Sequence, residues 1–243
     1  MLNGERYQLE ISPAMLTDNP PIQIIIAALN EEKGIASTID DLKQVLINPN
    51  IIVIDGKSTD KTPVVARTLG AQVISQKDSG KGEALNSGLR LIDPSTKYVV
   101  LTDADYTYPA QHIPEMVRII EQNPQVGMVC GNRFNQVYKM KTMNRIFYYG
   151  NQALSNIHNV LNGINLKDPL TGLRVVRADL MRTWHPQSKN FDIEVELNSY
   201  VAKSGFETIE IPISYRERIG EKKLRVKHGR IILQRILLEF FGY

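Results

Sequence analysis

The chain has 243 residues, a formal net charge of +3, 42% hydrophobic and 23% charged residues, and one cysteine. This balance fits a single globular α/β domain with a real core. It excludes an internal disulfide framework and is too weakly basic to imply a nucleic-acid partner.

Cys130 lies in an apolar stretch, which suits a buried thiol in a reducing compartment. Nothing resembles a signal peptide, and no apolar run approaches the roughly 20 residues that span a bilayer. The expectation is a cytoplasmic protein whose membrane contact, if any, is peripheral.

Residues 1 to 21 read as an irregular lead-in, because Pro13, Pro20 and Pro21 oppose regular structure. Ile22 to Ala28 reads as a buried parallel strand. Asn30-Glu31-Glu32 follows, and Lys33 to Ile47 has helical periodicity. Ile51 to Asp55 is a second strand. The next helix runs to about Leu69, with Ser58 or Thr59 as its cap and Gly70 at its end. Gln72 to Ser75 is a short third strand. A polar loop with Gly80 and Gly82 leads into a helix from Glu83 to Leu91.

Tyr98 to Leu101 is a fourth buried strand, ending in Asp103 and Asp105. Two carboxylates this close favour a positive companion. Hard oxygen ligands point to Mg2+ or Mn2+, carrying a diphosphate. Taken alone, the triplet also fits a solvated turn. It further fits the Asp-x-Asp-x-Thr loop of haloacid-dehalogenase-like phosphatases, in which the first Asp is a nucleophile near the chain start.

Pro109 to Gln122 reads as a helix, and Val126 to Arg133 as a strand. Alternating strands and helices predict a doubly wound, mainly parallel α/β sheet. Strand ends in such a sheet share one edge. That gathers Glu31, Asp55, the Asp pair and Arg133.

The second half differs. Met140 to Leu161 has apolar residues at helical spacing, as one helix or a broken pair. Asp168 to Arg177 gives a turn and a strand. Asn190 to Lys203 is helical, ending before Gly205. Phe206 to Tyr215 holds one or two strands broken at Pro212. Lys227 to Phe241 is an amphipathic, basic tail.

In this order and spacing, seven segments resemble glycosyltransferase family 2, and within it the polyprenyl-phosphate (dolichyl-phosphate) hexose synthases. They are Ala27 to Glu32, Ile54 to Thr62, Lys81 to Gly88, Thr102 to Asp105, Asp168 to Arg174, and the late pair Phe191 to Leu197 and Arg218 to Leu224. The match covers roughly Ile22 to Leu224. The phosphatase reading fails here, since its nucleophile would lie mid-chain behind three unexplained motifs.

The resemblance implies a GT-A fold as one domain. Residues 22–135 would bind the nucleotide sugar, residues 136–226 the acceptor, and residues 227–243 would form the basic tail. By position, Ala27, Leu29, Glu31, Val53, Asp55, Lys81 and Ala104 would hold the donor, and Asp103 and Asp105 the metal. Arg133, Asp168, Arg174, Arg218 and Lys223 would face phosphates or acceptor. Asp105, Arg133, Glu194 and Arg218 would carry catalysis. Asp168 remains either a loop cap or an acceptor-side residue. Three departures stand out. Ala27 replaces the family's opening proline, Gly56 replaces the second Asp of the nucleoside loop, and Thr107 stands where mannose-phosphate synthases often have Gln.

The acceptor implied is a polyprenyl phosphate, a largely dianionic nucleophile at neutral pH. A saccharide hydroxyl would instead need a base. Glu194 and Glu196 are the candidates, and lying two apart on a helix they do not share a face. Arg225, Lys227 and Arg230 beside Ile231, Ile232, Leu237, Phe240 and Phe241 fit a helix on an anionic cytoplasmic membrane face. A core-packing helix with a solvated basic face, or a homodimer interface, fits the same pattern.

Overall fold

The computed structural model describes residues 21–134 and 145–242. Seven strands form one sheet: β1 (Ile22–Ala28), β2 (Asn50–Asp55), β3 (Gln72–Ser75), β4 (Tyr98–Asp103), β5 (Val126–Asn132), β6 (Arg174–Arg177) and β7 (Glu207–Pro212). Their order is β3-β2-β1-β4-β6-β5-β7. All pairings are parallel except those of β6, which runs antiparallel between β4 and β5.

The helices among the described residues are α1 (Glu32–Val45), α2 (Thr62–Thr68), α3 (Lys81–Leu89), α4 (Ile113–Gln122), α5 (Arg145–Asn162), α6 (Ala178–Thr183), α7 (Ile193–Lys203) and α8 (His228–Phe241).

The apolar runs of β1 and β2 follow from burial on both faces. Alternate side chains enter opposite cores. Ile24 and Ile26 pack with Ile35 and Ile39 of α1 and Met116 of α4. Ile25 packs on the other face with Leu85 of α3 and Leu197 of α7. Fully burying one such side chain contributes about 1.5–3 kcal/mol.

The strand order reverses between β1 and β4. From β1 the chain winds outward through β2 and β3, then returns to start β4 on the other side. Open α/β sheets bind ligands in the crevice outside the carboxyl ends at such a switch point. Because β6 is antiparallel, the segment before it, Asp168 to Leu173, arrives at the same edge.

Some boundaries depart from the sequence reading. No Ser58 or Thr59 side chain caps α2. Asp60 accepts the Thr62 N–H at 2.9 Å, while the Ser58 hydroxyl accepts the Asn30 N–H at 2.9 Å. The helix expected from Pro109 opens with a 3-10 turn, Ala110–His112. α6 was not anticipated, since six residues carry too little periodicity. The expected Met140 start of α5 lies outside the described residues.

α8 packs Ile232 and Ile236 against Val195 of α7 and Leu154 and Leu161 of α5. Arg235 turns toward Asp192 and Glu239, at 3.5 and 3.6 Å. Leu237, Phe240 and Phe241, in the last turns of α8, are exposed, and Lys227 and Arg230 lie at its N-terminal end. The core-packing description therefore holds for one face of the tail.

Candidate active site

A cleft of about 270 Å³ opens at the switch point. The end of β1 and its turn contribute Ala27, Leu29 and Glu31, and the end of β4 contributes Asp103, Ala104 and Asp105. Lys81 comes from the first turn of α3, Glu194 from α7, and Arg133 from just beyond β5. The segment after β7 folds back to supply Arg218 and Lys223.

Charges are organised in three groups. Arg218 bonds Asp105 Oδ2 at 2.5 Å through one arm and Glu31 Oε1 through the other. Lys223 Nζ lies 3.0 Å from the same Glu31 oxygen. Lys81 Nζ bridges Asp103 at 2.7 Å and Glu194 at 2.6 Å. Arg133 is gripped by Asp168, and its guanidinium carbon lies 5.5 Å from the Tyr215 ring centre.

The loop carrying the Asp pair is pinned by close approaches. A Cβ on Gly172 would meet Asp103 Oδ2 at 2.7 Å, and one on Gly34 would meet the Ala104 carbonyl at 2.7 Å. Tyr106 adopts a left-handed φ of 66° immediately after Asp105, a conformation that costs a non-glycine residue energy and recurs at functional sites. Its N–H bonds the Thr38 hydroxyl at 3.0 Å, and Thr107 donates to Asp105 through N–H and hydroxyl.

The two aspartates titrate differently. Burial, and next the Asp103 charge, push Asp105 above the usual carboxylate range. Burial also opposes ionisation of Asp103, but Lys81 and then Arg218 hold it below that range. Glu31 is raised by burial against the pull of Lys223 and Arg218.

Four residues expected in the cleft lie elsewhere. Val53, within β2, is fully buried in the core. Asp55 is buried at the strand end, its carboxylate accepting the Ser58 N–H in a turn. Asp168 is fully buried and anchors Arg133, which removes it from direct contact with an acceptor. Arg174 is also interior, donating to Asn198 Oδ1 at 2.5 Å and to the Thr171 and Pro169 carbonyls. Its guanidinium is spent on the protein, so the expected phosphate contact is corrected to a structural one.

The two glutamates of α7 part company. Glu194 lines the cleft. Glu196 accepts the Gln187 and Ser188 N–H groups, both at 2.7 Å.

Other lining residues had no distinctive sequence signal. Gln76 follows β3, Tyr108 and Tyr215 flank Arg133, and Leu170, Phe191 and Ile232 give the cleft an apolar wall. Tertiary folding alone brings these together. Tyr108 could have been suspected from its place beyond the Asp pair, where its hydroxyl accepts the Gly172 N–H at 2.7 Å.

A divalent cation fits this donor set. Asp103 and Asp105 carry hard oxygen donors, and burial and next the Asp103 charge raise Asp105. Among the described residues no cluster of three or more His, Cys, Asp or Glu could hold a metal alone. Two carboxylates would leave the rest of such an ion's shell to substrate phosphates and water, as in many Mg2+ sites.

Residues 23–182 match the model of the family described as Glycosyl transferase family 2. A dolichyl-phosphate hexose transferase of Haloferax volcanii is 33% identical, over 84% of this chain and 86% of its own length. An undecaprenyl-phosphate mannosyltransferase of Micrococcus luteus is 28% identical, over 82% and 86%.

The UDP complex of glucosyl-3-phosphoglycerate synthase from Mycobacterium tuberculosis superposes with a TM-score of 0.73 at 22% identity, over 91% of this chain and 80% of the other. It shows a shared GT-A fold. The same synthase has been crystallised with Mn2+ and UDP-glucose. The chain belongs to glycosyltransferase family 2, and is an enzyme that moves a sugar from a nucleotide sugar.

Proposed function

We propose that the enzyme transfers a hexose from its nucleotide sugar to a polyprenyl monophosphate, with inversion and with a divalent metal. The observation that carries this is the two-sided cleft. Carboxylates and cations stand at the strand ends, and Leu170, Phe191, Leu224 and Ile232 line the same space. That combination suits an acceptor that joins a phosphate to a hydrocarbon chain. The polyprenyl-phosphate transferases among the relatives support it.

An ion held by Asp103 and Asp105 would neutralise the donor diphosphate and stabilise it as a leaving group. Arg218 and Lys223 add positive charge beside it. Arg133, fixed by Asp168, directs its guanidinium toward the acceptor phosphate. A phosphate oxygen attacks the anomeric carbon as the bond to the diphosphate oxygen breaks, so nucleoside diphosphate departs and configuration inverts. The attacking phosphate is already deprotonated near pH 7, so no protein base is required. Glu194 then serves to hold Lys81.

One observation favours a second acceptor, a saccharide hydroxyl. The Glu194 carboxylate lines the cleft, where a hydroxyl nucleophile would find a general base.

Peripheral attachment to the cytoplasmic membrane face is part of the proposal. No helix among the described residues is long and apolar enough to cross a membrane. The exposed Phe240 and Phe241 of α8 and Ile146 and Tyr149 of α5, with Lys227 and Arg230 at the N-terminal end of α8, suit a helix pair lying on anionic lipid.

The test incubates the enzyme with a short polyprenyl phosphate, Mn2+ or Mg2+ and a panel of UDP- and GDP-sugars, with mass spectrometry of the organic phase. A glycosylated lipid phosphate supports the proposal. A sugar found only on saccharide acceptors contradicts it.

A further inference from the structure

We propose that Arg216 is a positioning residue for the metal, clamping the loop that carries Asp105 so that its carboxylate is held ready for the ion. This role rests on the divalent metal proposed above, and it names a residue outside the cleft on which that metal depends.

Arg216 sits in the segment that follows β7. Its guanidinium donates to both oxygens of Asp41 on α1, at 2.8 and 3.0 Å. The same group lies over the Tyr106 ring, with its carbon 4.1 Å from the ring centre. Its backbone N–H donates to the Thr107 carbonyl at 2.9 Å. Three parts of the fold therefore meet at one residue: α1, the segment after β7, and the loop after β4. Arg216, Asp41 and Tyr106 all stand behind the cleft and are not part of its lining.

The loop after β4 needs such a clamp. Tyr106 holds a left-handed φ of 66°, which a non-glycine residue keeps only where its surroundings over-determine it. That turn folds Thr107 back, so that its N–H and hydroxyl both reach Asp105 Oδ1, at 3.1 and 2.6 Å. The other oxygen, Oδ2, is left for Arg218 on the cleft side, at 2.5 Å. Relaxation of Tyr106 to an ordinary φ would swing Thr107 away and release the carboxylate.

α1 braces the loop from one side. The Thr38 hydroxyl accepts the Tyr106 N–H at 3.0 Å, and Asp41 accepts the Ala110 N–H at 2.7 Å. Thr38 and Asp41 are three apart and share a helix face. Arg216 closes the other side by covering the Tyr106 ring and gripping the same Asp41. A guanidinium suits both tasks, since it pairs with a carboxylate through two N–H groups and stacks on an aromatic ring. A lysine ammonium is a point charge and does neither.

The experiment is an EPR titration of Mn2+ into the enzyme, alone and with UDP or GDP, with thermal unfolding measured beside it. Arg216→Met is expected to weaken Mn2+ binding about tenfold, the effect of losing one charge-assisted hydrogen bond. Arg216→Lys is expected to remain weaker than wild type, because its charge alone does not restore the grip. Tyr106→Gly takes up the left-handed backbone without strain. Its thermal midpoint is expected to stay near wild type while its Mn2+ affinity falls, since the ring that Arg216 covers is gone.

Wild-type Mn2+ affinity in Tyr106→Gly, or in folded Arg216→Met, overturns the assignment. Tyr106→Gly decides the matter if Arg216→Met fails to fold. A wild type that takes up no Mn2+ under any of these conditions overturns the metal reading beneath it, and does so before any variant is made.

Discussion

Asp168 holds Arg133 by two side-chain hydrogen bonds, each 2.7 Å, and by a third at 3.0 Å from the Arg133 backbone N–H. Behind Asp168, Glu210 accepts the Lys167 and Asp168 N–H groups, both at 2.7 Å. Burial works against the Arg133 charge, but Asp168 holds it firmly protonated. A cleft-lining cation is thus aimed by a residue that itself never reaches the cleft.

Removing one member of this buried pair strands the other. Asp168→Ala is expected to lose about 3–5 kcal/mol of stability in urea denaturation. The double variant Asp168→Leu with Arg133→Met is expected to recover much of that loss but not the turnover. Equal stability of Asp168→Ala and wild type would contradict the anchoring role.

Glu194 and Glu196 differ in what they touch, so their variants should separate. Glu196→Ala removes the acceptor for two N–H groups, and about 1–3 kcal/mol of stability is expected to go with it. Glu194→Gln keeps the shape of the side chain while loosening Lys81, so turnover is expected to fall at least tenfold at nearly unchanged thermal midpoint. Steady-state kinetics beside thermal unfolding reads both.

His158 gives the fold a pH dependence. It is fully buried, with Nδ1 3.0 Å from Asn162 Nδ2. Burial, and next Arg174, lower its pKa from 6.5 to about 4. The folded state therefore binds its proton later than the unfolded chain does. The associated stability is complete above pH 6.5 and is lost as pH falls toward 4, by about 3 kcal/mol at the limit. His158→Leu is expected to flatten this part of the stability curve, measured by urea unfolding from pH 7.5 down to 4.5.

Much of the architecture was legible because it lay in continuous runs. Ile22 to Ala28 and Tyr98 to Leu101 could only be strands buried on both faces, and the charged residues ending them had to gather at one edge. Arg174 was misplaced for a physical reason. At the start of an antiparallel strand, the residue pattern does not distinguish an arginine facing the cleft from one satisfied by interior carbonyls and Asn198. Asp168 kept two readings until its partner was known, because Arg133 lies 35 residues away. Gln76 and Tyr215 carry no motif. Folding alone brings them to the cleft.

Phe240 and Phe241, at 50% and 66% exposed, close the last turn of α8. Replacing both by Asp is expected to reduce co-sedimentation with phosphatidylglycerol vesicles several-fold at low salt, while turnover on a short, water-soluble acceptor stays near wild type. Undiminished sedimentation would remove α8 from membrane attachment.

The central claim is that a lipid phosphate is the nucleophile. The most direct measurement follows nucleoside diphosphate release with a short polyprenyl phosphate, and in parallel with the same polyprenol lacking phosphate. Release is predicted only with the phosphate and a divalent metal, and it is predicted to stop in Asp105→Ala. Release with the free alcohol, or sugar transfer to saccharides while the lipid phosphate stays unmodified, would contradict the account.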